Sequence, residues 1–132
     1  MDIALERSWH ALCKKFEHHG YSGLSDDEKV WLNARGLIDS TNNGGLISYF
    51  YNSGADRFPD AIAALDTLNA AGIRILVQRV GTLFGNTVPL DIDARNEIIN
   101  SWPDDGKVDA LLTEVDRDLP WRWPLWSCAG AS

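Results

Sequence analysis

The stretch KVDALLTEVDRDL, residues 107–119, has the most regular helical pattern in the chain and is the best guide to its fold class. Its apolar residues recur at positions i, i+3, i+4, i+7 and i+11, which places them on one side of an α-helix. These residues are Val108, Leu111, Leu112, Val115 and Leu119. The stretch therefore predicts a surface helix whose inner face is apolar and whose acids lie beside that face.

Similar patterns extend toward the amino terminus. Residues 3–18 carry one apolar stripe, formed by Leu5, Trp9, Leu12 and Phe16. The segment from Ser25 to Glu28 has the spacing of a capping box, in which both side chains bond amides of a first helical turn. Apolar residues from position 30 to 38 continue the helix that this box begins. We therefore expect two helices before residue 40.

Turn signals divide the middle of the chain. The sequence NNGG at 42–45 predicts a tight turn followed by a short helix over about 45–52, because glycine tolerates backbone angles that other residues avoid. Pro59 suits the first helical position of a helix over 59–71, which Gly72 is expected to stop. Residues 73–84 predict another apolar helix, and the β-branched content of Ile73–Val77 leaves a strand open as an alternative.

The remaining segments complete an all-α prediction. Gly85 and Pro89 mark a loop, after which Asp91 or Asp93 caps a further helix, and a turn at 103–106 leads into residues 107–119. The segment 120–126 contains two prolines and is predicted to be extended and rich in tryptophan. A period of two is almost absent, so we expect one compact domain over 1–132 with six or seven helices.

Composition places the chain among ordinary globular domains. The chain has 132 residues, of which 45% are hydrophobic and 23% charged, and this length suits a single domain. The two cysteines, Cys13 and Cys128, lie near opposite ends, and no pattern requires a disulfide between them. The first 20 residues lack the pattern of a signal peptide, and no apolar stretch is long enough to span a bilayer. We therefore expect a cytoplasmic protein with reduced thiols.

The negative charge is concentrated near the carboxyl end. The formal net charge is −7, and residues 91–118 contain nine acids and three bases, whereas residues 1–90 contain ten acids and eight bases. Such a charge repels nucleic acid and anionic membranes and favours a basic protein partner. The simpler alternative, that the acidity only keeps the protein in solution, stays open. The candidate partner-binding acids are Asp91, Asp93, Glu97, Asp105, Asp109 and Asp116. Of these, Asp105, Asp109 and Asp116 are predicted to form one row on a flank of the last helix, which the other three could extend.

Catalytic and metal-binding patterns are weak. The metal candidates cluster in the first predicted helix, and they do not match the spacing of known metal motifs. They are Glu6, His10, Cys13, Glu17, His18 and His19. A nucleophile elbow is absent, and the amides before the short helix could bind an anion but lack the rest of a nucleotide motif. We therefore predict no catalytic residue, no metal and no cofactor.

The segment NGGLISYFYNSG, residues 43–54, resembles the signature of the DNA-mimic-protein-like family, a bacterial all-helical domain. The capping-box helix with Trp31, the segment 63–85 and the segment LLTEVDRDLPWRW are compatible with it, so the resemblance covers about residues 25–126. Three positions depart from the family pattern: Leu46 replaces a common Phe, Ser48 replaces a frequent Gln, and Ser40-Thr41 replace an acid and a hydrophobe. The motif residues are Asn43, Gly44, Gly45, Tyr49, Phe50, Asn52 and Gly54.

The resemblance implies an all-α, dimeric domain, and a described family member uses an acidic surface to occupy the DNA-binding face of a transcription regulator. We interpret the motif itself as a folding element, with glycines for close helix approach, core aromatics and a capping Asn52. The leading hypothesis is a non-enzymatic DNA mimic that sequesters a basic, DNA-binding regulator. An immunity-type or regulatory protein with one cognate basic partner is the first alternative, and a small metal-dependent or hydrolytic enzyme is the second.

Overall fold

A computed structural model describes the backbone of residues 3–119 and the side chains from residue 7 onward. Over this range the chain forms seven α-helices and no β-strand, which confirms the all-α prediction. The helices are α1 Ile3–His19, α2 Asp26–Gly44, α3 Leu46–Phe50, α4 Phe58–Thr67, α5 Ala71–Gly81, α6 Ile92–Ser101 and α7 Lys107–Asp118. Short 3₁₀ turns lie at Tyr21–Gly23, Ser53–Arg57 and Thr82–Phe84. The predicted extended segment at 120–126 lies outside the described residues.

The start of α2 confirms the predicted capping box. The Ser25 hydroxyl accepts a hydrogen bond from the Glu28 amide at 3.2 Å, and the Glu28 carboxylate accepts one from the Ser25 amide at 2.8 Å. Two of the amides that a helix leaves without partners at its beginning are thereby satisfied. The end of α2 differs from the prediction, because both asparagines of the NNGG segment remain helical. Gly45 alone, at φ 82° and ψ 170°, turns the chain into α3.

The junction between α4 and α5 corrects a second predicted boundary. The helix begins at Phe58, one residue before Pro59, and ends at Thr67, well before the expected stop at Gly72. Asn69 adopts a left-handed φ of 57°, and the amide of Ala70 donates to the Leu65 carbonyl at 2.8 Å. This is the bonding of a Schellman motif, in which asparagine takes the place usually held by glycine. Gly72 instead lies inside α5, and the strand alternative for Ile73–Val77 is excluded.

Two clusters of buried side chains hold the helices together. The main core surrounds Phe50, which is fully buried and whose ring centroid lies 5.2 Å from that of Phe84 and 5.6 Å from that of Phe58. Helices α2, α4, α5, α6 and α7 all contribute to it. A smaller cluster joins α1 to the first half of α2 through Leu12, Leu24 and Leu32. The short helix α3 therefore lies at the centre of the molecule, and α1 at its edge.

The two acidic helices begin near their predicted positions. Asp91 caps α6, because its carboxylate accepts a hydrogen bond from the Ala94 amide at 3.0 Å, which decides between Asp91 and Asp93. Helix α7 follows the turn that ends at Gly106, whose φ is 81°. Val115 and Leu119 of the predicted apolar stripe are buried in the main core. None of the described helices has the length and apolar character needed to cross a membrane.

Candidate functional site

The exposed acids of α6, α7 and the turn between them form the candidate site. Of the six acids predicted from the charge pattern, five are exposed and Asp116 is half-buried. Asp104, in the turn, is exposed as well and was missed because the prediction followed helical flanks. Within residues 7–119 none of these exposed acids forms an ion pair with a lysine or arginine. The exposed, unpaired acids are Asp91, Asp93, Glu97, Asp104, Asp105 and Asp109.

The other flank of α7 differs in its charge balance. Glu114 lies 3.5 Å from the guanidinium of Arg79 on α5, and Asp118 lies 3.3 Å from that of Arg117. These two carboxylates are therefore partly neutralised by neighbouring arginines. The uncompensated negative charge of the carboxyl-terminal segment lies on α6, the connecting turn and the first turn of α7.

The spacing of the acids follows from helix geometry. Asp93 and Glu97 are one turn apart on α6, which places their β-carbons about 5–6 Å from each other. Asp105 precedes α7 and its carboxylate accepts a hydrogen bond from the Lys107 amide at 3.0 Å, so it does not continue the helical row of Asp109 and Asp116. Those two are seven residues apart, or about 10.5 Å along the helix axis.

Asp116 is occupied within the fold. Its carboxylate accepts a hydrogen bond from the Leu46 amide at 2.9 Å, at the beginning of α3. A β-carbon placed on Gly45 would lie 2.7 Å from a carboxylate oxygen of Asp116, and the φ of 82° is one that other residues rarely adopt, so both the contact and the backbone favour glycine here. The chain's own carboxylate thus takes the place that an anion would occupy in front of α3. This hydrogen bond links α7 to α3 and is part of the fold, independent of any binding partner.

Arg95 is a second residue that sequence reasoning missed. Its side chain is fully buried in α6, and its guanidinium donates to the carbonyls of Phe50 at 3.0 Å, Pro89 at 2.9 Å and Asn52 at 2.8 Å. A fourth hydrogen bond, also 2.8 Å, reaches the Asp56 carboxylate. The planar guanidinium, with five N–H donors, suits such a convergent set of acceptors.

A signal for this buried arginine was present in the sequence. Arg95 follows Ile92 by three residues and precedes Ile99 by four, so it lies on the apolar side of its helix. Counting it among the bases that offset the acidic segment was therefore misleading, because its partner is Asp56 and its charge is buried. Without the buried Arg95 and the half-buried Asp116, the exposed part of this segment holds eight acids and two bases, so its net charge of −6 equals that of the full count of nine acids and three bases.

The aromatic motif of residues 43–54 is part of the core. Tyr49 and Phe50 are 2% and 0% exposed, and burial raises the pKa of the Tyr49 phenol well above its ordinary value. The side-chain amide of Asn52 donates to the Ser48 carbonyl at 2.6 Å and so caps the carboxyl end of α3. Gly54 lies against the Tyr49 ring, while Asn43 is exposed near the end of α2. These contacts support the interpretation of the motif as a folding element.

The predicted metal candidates are not gathered in the part of the chain that the structure describes. Between residues 7 and 119, groups of three or more His, Cys, Asp or Glu side chains that could hold a metal ion do not occur, and the side chain of Glu6 lies outside this range. His10, His18 and His19 are all exposed on α1. Burial raises the pKa of the Cys13 thiol, with Arg35 opposing and Asp39 adding to that effect. At neutral pH this thiol is protonated, which makes it a poor nucleophile.

Comparison with known proteins now adds a family. The model of a family described as DMP19-like protein matches residues 22–125, which is most of the chain. The chain belongs to the DMP19-like protein family. This match agrees with the resemblance over about residues 25–126 and confirms it. Curated proteins and solved structures give no significant match.

The DMP19-like region coincides with part of the fold. It begins within the 3₁₀ turn at Tyr21–Gly23, so it includes the main core, the buried arginine and all of the candidate acids, while α1 precedes it. Several surface depressions lie in or beside this DMP19-like region. One, of about 740 Å³, is lined by Phe58, Pro59 and Leu90 among others and contains no charged side chain. Another, of about 320 Å³, lies between α2 and α4. A third, of about 270 Å³, lies among the acidic residues at the start of α7.

Proposed function

We propose that this DMP19-like protein is a non-enzymatic interaction domain that mimics DNA toward a basic, DNA-binding protein. The observation that carries the proposal is the group of exposed, unpaired acids on α6, the following turn and the first turn of α7. Membership of a family named for DNA mimicry supports the same function. A basic protein whose surface is adapted to phosphates would find carboxylates on the acidic helices instead.

Electrostatics limits which acids contribute. At physiological ionic strength the Debye length is about 8 Å, so charges much farther away are screened. Asp93 and Glu97 lie within that distance of each other, and both are free of internal ion pairs among the described residues. Glu114 and Asp118 are already partly neutralised by arginines. The acids of α6 and of the α6–α7 turn therefore contribute most of the attraction.

The test uses the protein to capture a partner, followed by measurement of binding at increasing salt and in competition with DNA that the partner binds. We expect the captured protein to be basic, its affinity to fall steeply with salt, and DNA to displace it. The double variant Asp93→Asn with Glu97→Gln should weaken binding. Glu114→Gln with Asp118→Asn changes the net charge by the same amount and should weaken it much less.

Two outcomes would contradict the proposal. Binding that does not respond to salt excludes a phosphate-mimicking mode. Tight binding of one cognate basic protein without competition from DNA would instead support the immunity-type or regulatory alternative.

We also propose that the protein is a homodimer, as the family resemblance implies. Size-exclusion chromatography with light scattering measures this directly. A mass near twice 14.7 kDa is expected, and a mass that stays at 14.7 kDa at high protein concentration contradicts it.

A further inference from the structure

A small cleft lies between α3, the α6–α7 turn and the start of α7, and we call it the Tyr51 cleft. Tyr51 and Trp102 contribute aromatic rings, Ile47 and Leu112 contribute aliphatic surface, and two of the unpaired acids belong to its lining. Its volume is about 270 Å³. Sites for drug-sized ligands and cofactors occupy about 300–1,000 Å³. The cleft therefore matches one inserted side chain better than a cofactor.

Of the two aromatic rings that line the cleft, one is held in place by the core and the other is exposed. The Trp102 indole N–H donates to the Leu83 carbonyl at 3.2 Å, and its ring packs edge-on against Phe84 with centroids 5.3 Å apart. This ring is held in place by the core before anything binds. Tyr51 is 43% exposed, unlike its buried neighbours Tyr49 and Phe50 in the same motif. An exposed aromatic beside a fixed one offers apolar area that a partner can cover.

The charges at the cleft have one sign. Asp104 and Asp109 line it, both are exposed, and neither forms an ion pair with any lysine or arginine in the described part of the chain. Asp109 lies in the first turn of α7, where the helix dipole favours a negative charge. Lys107, the nearest base in sequence, is not among the lining residues. The cleft therefore attracts a cation.

The combination of aromatic rings and carboxylates selects among cations. A guanidinium is planar and weakly hydrated, stacks on aromatic faces and donates to two carboxylates at once, whereas an ammonium is compact and strongly hydrated. The chain places both kinds of cation over its own rings, since Arg57 lies 4.9 Å and the Lys29 ammonium 5.1 Å from the Tyr21 centroid. The preference for a guanidinium therefore rests on its flat shape, its weak hydration and its ability to donate to both carboxylates. We infer that the Tyr51 cleft binds an arginine side chain of the basic partner, an inference that rests on the function proposed above.

The experiment is a titration of the isotope-labelled full chain followed by NMR. The probes are N-acetyl-arginine amide, its lysine counterpart and its citrulline counterpart, which has nearly the same shape as arginine without the charge. We expect arginine to shift the Trp102 indole signal and the amides of Tyr51 and Asp109, with an affinity about fivefold above that of lysine. Citrulline should cause no such shifts. Equal affinity for lysine and arginine, or shifts centred elsewhere, would overturn the inference.

Variants separate this inference from the proposed function. Asp104→Asn with Asp109→Asn should abolish the arginine-induced shifts, whereas Glu114→Gln with Asp118→Asn, which removes equal charge from the paired acids, should leave them unchanged. If the first variant still captures the basic partner with undiminished affinity, the cleft is not the arginine site, while the acids of α6 retain their proposed role. If the wild type captures no basic protein in a salt-dependent manner, the proposed function fails. The NMR titration alone then decides whether the cleft binds an arginine side chain.

Discussion

At the residue scale, Arg95 is the side chain on which the structure around the motif depends most. It is fully buried and donates to three carbonyls and one carboxylate. Arg95→Met would leave these acceptors without donors, and we expect a loss of about 3–5 kcal/mol in the free energy of unfolding, measured in urea. Arg117→Met, at a side chain that is 71% exposed, should change it by less than about 0.5 kcal/mol. Equal stabilities of the two variants would contradict this role.

Gly45 combines two constraints that can be separated. Gly20 has nearly the same backbone, at φ 73° and ψ 176°, but a β-carbon there would meet nothing within 4 Å. Gly20→Ala should therefore cost only the backbone strain, on the order of 1–3 kcal/mol. Gly45→Ala should cost more, because its β-carbon also meets Asp116. Adding Asp116→Ala should recover part of that difference, and strict additivity of the two changes would show that no contact is involved.

Tyr49 predicts a pH dependence in the alkaline range. Because burial raises its folded-state pKa above the ordinary value of about 10, its contribution to stability is complete below that pH and is lost as the pH rises beyond it. Urea unfolding midpoints should therefore fall above about pH 10. Tyr49→Phe should reduce this fall without abolishing it, since burial also raises the pKa of Tyr21. A fall of the same size in wild type and in Tyr49→Phe would contradict this role of the buried phenol.

At the scale of elements, the beginning of α2 can be tested through its capping box. Ser25→Ala removes the hydroxyl that accepts from Glu28 and should destabilise the protein by about 1 kcal/mol, measured by thermal or urea unfolding. Glu28→Gln should lose less, because glutamine can also complete the box. Ser22→Ala, in the preceding 3₁₀ turn, should have little effect. A loss as large for Ser22→Ala would show that the effect is not specific to the cap.

Glu28 should also make the stability of the protein depend on pH in the acidic range. Hydrogen bonds from Lys15 and then from the Ser25 amide hold the pKa of Glu28 below its ordinary value. Its stabilising contribution is therefore present above the unfolded-state pKa and is lost as the pH falls.

The boundaries of the elements mark where sequence reasoning succeeded and where it failed. Side-chain capping and apolar periodicity are local, so the start of α2 and the extent of α7 could be predicted. The end of α4 could not, because asparagine and glycine both tolerate the left-handed region and Gly72 was the more obvious signal. The role of Asp116 could not be predicted either, since its partner Leu46 is 70 residues away in sequence. The period of a sequence indicates which side of a helix is apolar, but it does not predict which residues of different helices contact each other.

At the scale of the whole molecule, α1 is peripheral. Among its described side chains the buried one, Leu12, belongs to the smaller cluster, the main core draws on residues 37–119, and the family match begins after this helix. A variant that starts at Gly20 should therefore keep its helical circular dichroism and unfold cooperatively, at a lower denaturant concentration than the full chain. Loss of cooperative unfolding would show that the main core needs α1 in order to form.

The buried bonds of Arg95 also have a consequence for the opposite side of α6. The inner side of this helix is bonded once to the loop before it, once to the last residue of α3 and twice to the segment after α3, while Asp93 and Glu97 project outward from the same few turns. The two outer carboxylates therefore belong to a helix whose bending and rotation are restricted by the hydrogen bonds of Arg95. A binding protein would therefore meet carboxylates at a fixed spacing. Partners whose basic side chains are preorganised at the same spacing should bind most tightly, because neither side then loses much conformational freedom.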